Sequence, residues 1–240
     1  CASDSVRENI AEDQVEIGFS TYIQKPVASK ADNSTAKTLN NLEAYHQNFV
    51  VNGFKTVANA ETQVFTDQLV TYNSADDKKV WEYSPVSYWD KSASKYSFYA
   101  AAPQTPAWTF VNDATKGKYY TISGFTVSGT SLALATSADA AAVFGEEDLM
   151  IATDIPAYNT FTGDAVNFTF NHILSRFNIA ISTSITDGTV TLTSLTVNGM
   201  KNKGSFDENL DAASTAGSTA RWNNLAVDGT YAITAVKDAS

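Results

Sequence analysis

The amino-acid sequence predicts an all-β protein built from antiparallel β-sandwiches. Short runs of Thr, Val, Ser, Tyr and Phe recur along the 240 residues and are bounded by Gly, Asn and Asp, which is typical of strands and turns. In residues 15–23, VEIGFSTYI, apolar side chains recur at alternate positions, the period of a half-buried strand. Helical periodicity is scarce. These observations favour packed sheets over helices.

Eleven segments have the chemistry of a strand. In the first, Val15, Ile17, Phe19 and Ile23 are predicted to share one face. In the eighth, FNIAISTSI, the alternation is repeated, and in the ninth its phase slips, which indicates a bulge or bend. In chain order the predicted strands are 15–23, 46–54, 62–72, 79–83, 95–101, 118–127, 164–171, 177–185, 189–199, 220–227 and 230–236.

The length of the chain suits two sandwich-sized domains better than one. Residues 24–44 lack sustained alternation and are expected to form a long loop, and residues 136–148 read as a helical turn followed by an acidic run. A boundary between about 145 and 164 precedes a second set of strands. We therefore predict an N-terminal domain over 15–160 and a C-terminal domain over 161–240.

The charge balance excludes two classes of partner. The net charge is -10 and the isoelectric point is near 4.6. Nucleic acids and anionic membranes attract clustered positive charge, so neither is an expected partner. No apolar run approaches the roughly 18 residues of a membrane span.

The only cysteine is Cys1, so the chain can form no internal disulfide and no thiolate cluster for zinc or iron–sulfur chemistry. A cysteine followed by the polar segment Ala2-Ser3-Asp4-Ser5 is typical of a bacterial lipoprotein cut just before the residue that is acylated. The alternative is that the sequence merely happens to begin there. We expect residues 1–14 to be a lipoprotein tether, with membrane contact only through the lipid on Cys1.

No constellation of catalytic or metal-binding residues is visible. His46 and His172 are far apart with no ligand spacing, and we expect structural roles for them. The run Glu146-Glu147-Asp148 lacks the pattern of a calcium loop and reads as a solvated turn. The signatures GxSxG, GxxxxGK[ST] and GxGxxG are absent from the sequence. We predict neither an enzyme, nor a cofactor, nor a metal site.

The segment WEYSPVSYWD concentrates four large rings, those of Trp81, Tyr83, Tyr88 and Trp89. Two interpretations are open. The rings could be scaffold buried at a crossing between sheets, which we favour. Alternatively, Trp81, Trp89 or Trp108 could stack on sugar rings at an exposed face, as in a surface glycan-binding lipoprotein. Burial discriminates between them, because a platform needs rings in one exposed plane.

Four motifs occur in order: W-x-Y-x-P-x-x-Y-W at 81–89, Y-x-F-Y-A-x-x-P at 96–103, a D-L-hydrophobic-x-A turn at 148–152, and F-x-H-x-L-S-R at 170–176. Together with Cys1 and the early strand, they resemble the fimbrillin-like family of Bacteroidales cell-surface lipoproteins. The resemblance covers roughly residues 1–200.

Membership would imply two transthyretin-like β-sandwich domains in an adhesive pilus subunit. Such a subunit is exported as a lipoprotein and assembled outside the outer membrane by strand exchange with other pilin subunits. A sandwich that loses a strand exposes unpaired backbone and apolar sockets, which a strand from a neighbour can fill. The candidate for the exchangeable strand is the segment carrying Val15, Ile17, Phe19 and Ile23.

The sequence departs from the family pattern in its processing site. Maturation in the family resembles cleavage after arginine, but no arginine follows the first strand closely. The arginines are Arg7, Arg176 and Arg221. Lys25, Lys30 and Lys37 do lie in that loop, and we expect any cleavage that frees the strand to fall in 25–37.

A second departure concerns the last residues. The range 164–240 is short for closing a second sandwich, so we expect either that the natural chain continues past Ser240 or that the second domain is incomplete. The predicted function is a structural pilus subunit at the outer membrane and cell surface, with host or bacterial surface ligands as further partners. A glycan-binding lipoprotein is the alternative.

Overall fold

The structure is a computed structural model that describes residues 14–23, 42–44, 46–75, 80–126, 148–154, 157–158, 165–174, 184–188, 195–199, 201–209, 221–227 and 231–233. Within these ranges the regular structure consists of strands, the 3-10 turn Leu42–Ala44 and a 3-10 residue at Arg221. The strands are β1 (Phe19–Ile23), β2 (Asn48–Val57), β3 (Ala60–Asn73), β4 (Val80–Glu82), β5 (Lys95–Ala102), β6 (Trp108–Asp113), β7 (Gly117–Thr126), β8 (Met150–Asp154), β9 (Ala157–Tyr158), β10 (Val166–His172), β11 (Leu195–Val197), β12 (Lys203–Asp207), β13 (Trp222–Ala226) and β14 (Tyr231–Ile233).

The described residues confirm the all-β fold class. They include no helix with the length and apolar character needed to cross a bilayer.

The first sheet has eight strands in the order β1-β10-β8-β5-β2-β3-β4, with β9 added beside β5. Its pairs are antiparallel except for β1 and β10, which run parallel. The expectation of a wholly antiparallel sandwich is therefore wrong at this pair. Since β1 and β10 are far apart in the sequence, no tight turn forces them into opposite directions.

The first sheet curls until its two edge strands face each other. Phe19 in β1 contacts the rings of Phe49 in β2 and Phe65 in β3, and Trp81 in β4 bonds to Thr21 in β1. The curled sheet encloses a cluster of buried apolar residues, here called the first cluster, to which β1, β2, β3, β5, β8 and β10 all contribute.

A second sheet of four antiparallel strands, in the order β13-β12-β7-β6, covers the outer face of the first. Tyr120 and Ile122 of β7 and Phe206 of β12 pack against Val50 of β2 and Ile151 of β8. These residues belong to the second cluster. A separate antiparallel pair is formed by β11 and β14.

The central strands β2 and β5 are consequently covered on both faces. In β5, Tyr96 and Phe98 point into the first cluster, whereas Ala101 faces the second. Both strands are accordingly buried along most of their length, as is typical of strands covered on two sides.

A buried polar network ties the two sheets together through Asn52, whose side chain is fully buried. Its amide nitrogen donates to Asp67 Oδ1 at 2.8 Å and to the hydroxyl of Tyr120 in the second sheet at 3.0 Å. Its carbonyl oxygen accepts bonds from Gln63 Nε2 and the backbone N–H of Asp67. Because every polar atom of the amide is satisfied, the network fixes how the sheets are placed at little desolvation cost.

Most predicted strands are present where the structure describes them, but four were missed: β6, β8, β9 and β12. The expected turn at 148–152 is the start of β8, a buried strand. Residues 24–41 and most of the predicted strand 177–185 lie outside the described residues. Ile185, the last residue of that predicted strand, is 55% exposed.

Strand pairing crosses residue 160 in both sheets. β10 pairs with β8 and β1 in the first sheet, and β12 pairs with β7 in the second. The reason is that the chain leaves the first sheet after β5 and forms the β6–β7 hairpin, which covers the outer face of that sheet. There β12 and β13 pair beside the hairpin. Strand pairing therefore has no division at residue 160. Separate folding of 15–160 and 161–240 stays a prediction.

Gly53 in β2 lies where two rings of the first cluster meet, and we predict that Gly53→Ala destabilises the protein. An added Cβ would lie 2.7 Å from Phe65 Cδ2 and 3.0 Å from Phe98 Cδ1, and both rings are buried. Overpacking of this kind costs about 1–3 kcal/mol of unfolding free energy, measurable by urea denaturation.

Gly18→Ala is the matched control, because its Cβ would meet nothing closer than Ala165 Cβ at 3.8 Å. Its unfolding midpoint should stay close to that of the parent. Equal midpoints for Gly53→Ala and the parent would show that the two rings can move apart.

Candidate functional site

The first strand closes the curled sheet along a seam. On one side of the seam lies β10, and on the other lies the segment 83–89, which follows β4. We call the space that residues 15–23 fill between these two edges the seam groove.

Residues 15–17 run antiparallel to residues 87–89. The backbone N–H of Ile17 donates to the carbonyl of Ser87, and the N–H of Trp89 donates to the carbonyl of Val15, both at 2.9 Å. Between them, Glu16 forms a bridge with Tyr88.

At Gly18 the strand changes partner. Its carbonyl accepts a bond of 2.8 Å from the N–H of Val166, and residues 19–23 then run parallel to residues 166–170 of β10. The Ser20 hydroxyl donates to the side chain of Asn167. The resident strand is therefore bonded through its backbone to two different edges in succession.

Phe19 occupies the centre of the first cluster. Its ring is 7% exposed and meets five described rings at centroid distances between 5.4 and 6.4 Å. The five rings are those of Phe49, Phe65, Tyr83, Phe98 and Phe168. Aromatic pairs at these separations add to the stabilisation that burial alone supplies.

Ile17 and Ile23 occupy the two ends of the groove and are buried, as is Leu42 from the 3-10 turn, which joins the same cluster. Val15 differs from the expectation, because it is 39% exposed. It lies before the point where the strand passes under the sheet, so only three of the four predicted apolar side chains fill the groove.

Two side chains from the opposite edge hold the strand by polar contacts. The hydroxyl of Tyr83 donates to the backbone carbonyl of Ile17 at 2.8 Å and also lies 3.2 Å from the carbonyl of Ser87. The indole Nε1 of Trp81 donates to Thr21 Oγ1 at 3.1 Å. Burial raises the pKa of Tyr83 to about 12, so its phenol remains a donor far above neutral pH.

The far end of the segment 83–89 is anchored to the central strands. Lys55 Nζ donates to Asp90 Oδ2 at 2.7 Å, and the backbone N–H of Asp90 donates to the hydroxyl of Tyr96. The hydrogen bond from Lys55, reinforced by two from Ser92, lowers the pKa of Asp90 to about 2. The edge that receives the strand is thus fixed by groups other than the strand itself.

The sequence model of one protein family, described as fimbrillin-like, matches residues 34–238, most of the chain. The chain belongs to the fimbrillin-like family. Membership implies a structural pilus subunit at the cell surface that assembles with other pilin subunits. No curated protein and no solved structure matches the chain.

The histidines of this fimbrillin-like chain meet at one residue. His172 Nδ1 lies 2.8 Å from Asp148 Oδ2, and His46 Nε2 is hydrogen-bonded to the backbone carbonyl of Asp148. These bonds join the beginnings of β2 and β8 to the end of β10, which fits the structural roles expected from sequence. In the part of the chain that the structure describes, no group of three or more His, Cys, Asp and Glu residues could hold a metal ion.

The tryptophans do not form a platform. Trp89 is buried against Tyr96, and Trp81 is half-buried between Phe49 and Tyr72. Trp108, also half-buried, packs on Tyr120 and donates its Nε1 proton to the carbonyl of Pro103. These rings face different clusters, so they do not share the exposed plane that a sugar-stacking site needs.

Tyr88 departs from the scaffold interpretation. Trp81, Tyr83 and Trp89 pack on or in the first cluster, but Tyr88 is 43% exposed. Its neighbours Ser87 and Trp89 are less exposed, and because side chains alternate along this extended segment, the Tyr88 ring lies towards solvent.

Several predicted site residues lie outside the described residues. They are Cys1, Lys25, Lys30 and Lys37. Lipidation and processing at these positions stay predictions.

Sequence reasoning did not find that Trp81 and Tyr83 bind the first strand. Their spacing of two residues places them on one face, which was a usable signal. Their partners, however, lie some sixty residues earlier in the chain, and a single sequence contains no information on that pairing.

We predict that Tyr83→Phe weakens the seam and removes one source of alkaline sensitivity. Loss of the bond to the Ile17 carbonyl should lower unfolding free energy at pH 7 by about 1–2 kcal/mol. The phenol's pKa is raised from 10.0 to about 12 in the folded chain. The stabilisation that the protonated Tyr83 hydroxyl gives to the folded chain is therefore fully present below pH 10. It is lost as the pH rises towards 12.

The measurement is urea unfolding of both proteins from pH 7 to 11.5. The difference in unfolding free energy between them should shrink above pH 10, because Tyr83 ionises more readily in the unfolded parent than in the folded parent. The other tyrosines titrate in both proteins, so their effects cancel. A difference that stays constant to pH 11.5 would contradict the assigned role of the Tyr83 hydroxyl.

Proposed function

We propose that this fimbrillin-like chain polymerises into pili by donor-strand exchange, in which the first strand leaves the seam groove and a strand from another subunit replaces it. The observation that supports this proposal is the position of Phe19. A residue from the first described strand of the chain supplies the central ring of the first cluster, although its strand is held at the seam between two sheet edges.

Removal of the first strand would leave a groove that must be refilled. It would expose the rings around Phe19 and leave unpaired the backbone groups of residues 87–89 and 166–170. Burial of Ile17, Phe19 and Ile23 stabilises the occupied state by about 5–9 kcal/mol before backbone bonds are counted. A replacement strand of similar character would recover this free energy, so each junction in the filament would persist.

The strand can leave only if its covalent link to the rest of the chain allows it. We propose that cleavage among residues 25–37, at Lys25, Lys30 or Lys37, frees the strand after Ile23. Cleavage after Arg7 would release the lipidated end and leave the strand in place.

The test treats the full-length gene product separately with Lys-specific and Arg-specific proteases. We expect SDS-resistant ladders and filaments after Lys-specific cleavage only, because that cleavage alone frees the occupant of the groove. A variant with Lys25, Lys30 and Lys37 all changed to Gln is the matched control and should remain monomeric.

Filaments in which every subunit retains residues 15–23, found by mass spectrometry, would contradict the proposal. Monomers that persist after complete cleavage within 25–37 would contradict it as well.

We also propose that Cys1 is acylated and holds the subunit precursor at the outer membrane before assembly. Two or more acyl chains are sufficient for stable anchoring. The assembled filament would then present its subunits away from the cell, where adhesion to host or bacterial surface ligands is its proposed role.

The anchoring proposal predicts that Cys1→Ser in the producing cell abolishes incorporation of a labelled fatty acid and moves the protein out of the membrane fraction. Ser3→Ala is the control and should leave both unchanged. Persistent labelling of the Cys1→Ser protein would contradict the proposal.

A further inference from the structure

We infer that the seam groove selects its incoming strand by the pattern apolar-x-aromatic-x-hydroxyl-x-apolar, and that Trp81 reads the hydroxyl and thereby sets the register. This inference rests on the proposed strand exchange. The occupant is a strand of another subunit that carries this pattern.

The resident strand shows why a contact that distinguishes the correct register from a shifted one is needed. Ile17, Phe19 and Ile23 point into the groove at alternate positions, so a slip by two residues would still present a side chain to every socket. The sockets of Ile17 and Ile23 discriminate weakly between such registers, because each can accept another aliphatic side chain. A polar contact at one defined position discriminates more strongly, because an incorrect register leaves a donor without its acceptor.

Trp81 is placed to make that contact. Its ring packs on Phe49 and on Tyr72 at centroid distances of 5.0 and 5.1 Å, and its backbone pairs with Tyr72 in β3. These contacts do not involve the first strand, so the indole stays positioned when the strand leaves. The Nε1 group is only a donor, and in the occupied groove it donates to Thr21 Oγ1 at 3.1 Å.

The aromatic position is read by shape. The socket of Phe19 is lined by five rings, and a smaller side chain there would leave a cavity between them. With the hydroxyl two residues later, the two features define one register within the groove.

The two edges of the groove also set the direction of the strand. The occupant must run antiparallel to residues 87–89 and then parallel to residues 166–170. A strand of opposite direction would face the wrong hydrogen-bonding pattern on both edges.

Within the 240 residues, the pattern occurs once, at Ile17, Phe19, Thr21 and Ile23. No other aromatic residue has an apolar residue two positions before it, a Ser or Thr two positions after it and an apolar residue four positions after it. The first strand is therefore the natural probe for the groove.

The experiment uses the full chain after cleavage within 25–37 and fluorescent peptides of residues 14–23. Four peptides are compared: the natural sequence, Thr21→Ser, Thr21→Val and the reversed sequence. Peptide retained by the protein is measured after gel filtration over a concentration series. We expect the Ser peptide to bind within about twofold of the natural one, the Val peptide about tenfold more weakly, and the reversed peptide not at all.

Val is more apolar than Thr, so without a polar reader the Val peptide would bind at least as tightly as the natural one. The matched receptor is the Trp81→Phe chain, which keeps a ring in place and removes the donor. In that chain the preference for Thr over Val should fall to within twofold. The comparison of peptides on the unmodified receptor remains decisive even if the variant folds poorly.

The outcomes separate the two proposals. Equal binding of the natural and Val peptides, or an unchanged preference in the Trp81→Phe chain, would overturn the register reader and leave strand exchange intact. Failure of the natural peptide to enter the groove would refute strand exchange at the seam, and this inference with it.

Discussion

The ring of Phe19 is the contact on which the first cluster depends. Rings from five other strands or segments converge on it, and this side chain fills the space between the two edges of the curled sheet. The backbone of its strand must form hydrogen bonds with two edges that run in different directions. The strand therefore changes partner at Gly18 and makes the one parallel pair in the first sheet. Closure of the fold and occupancy of the seam groove are the same event.

The two clusters differ in whether they depend on the first strand. The first cluster contains Ile17, Phe19 and Ile23, whereas the second includes no residue of the first strand. It is held by the β6–β7 hairpin, by β12 and by the outer faces of β2, β5 and β8, and Asn52 adds a polar link between the sheets. A chain with an empty groove would therefore retain the apolar interface between the two sheets.

The sequence was most informative where one periodic segment makes a local structure. The period of two in residues 15–23 predicted the burial of Ile17, Phe19 and Ile23, and the aromatic motifs pointed to the right family. It failed where the structure depends on pairing across long separations. The parallel β1–β10 pair, the hold of Trp81 and Tyr83 on the first strand, and the joining of β7 with β12 leave no local trace. Val15 was misjudged because alternation predicts the face but not where the covering layer ends, and Tyr88 because it was grouped with the neighbouring rings without regard to alternation.

The burial of β2 and β5 on both faces has a consequence for the order in which backbone amides become accessible to solvent. Departure of the first strand opens the edges of β10 and of residues 83–89, but it leaves the ladder between β2 and β5 untouched. Hydrogen exchange at those central amides would then report global unfolding, whereas exchange along the seam would report a local opening of much lower free energy. The same molecule can thus be labile at one edge and long-lived as a building block.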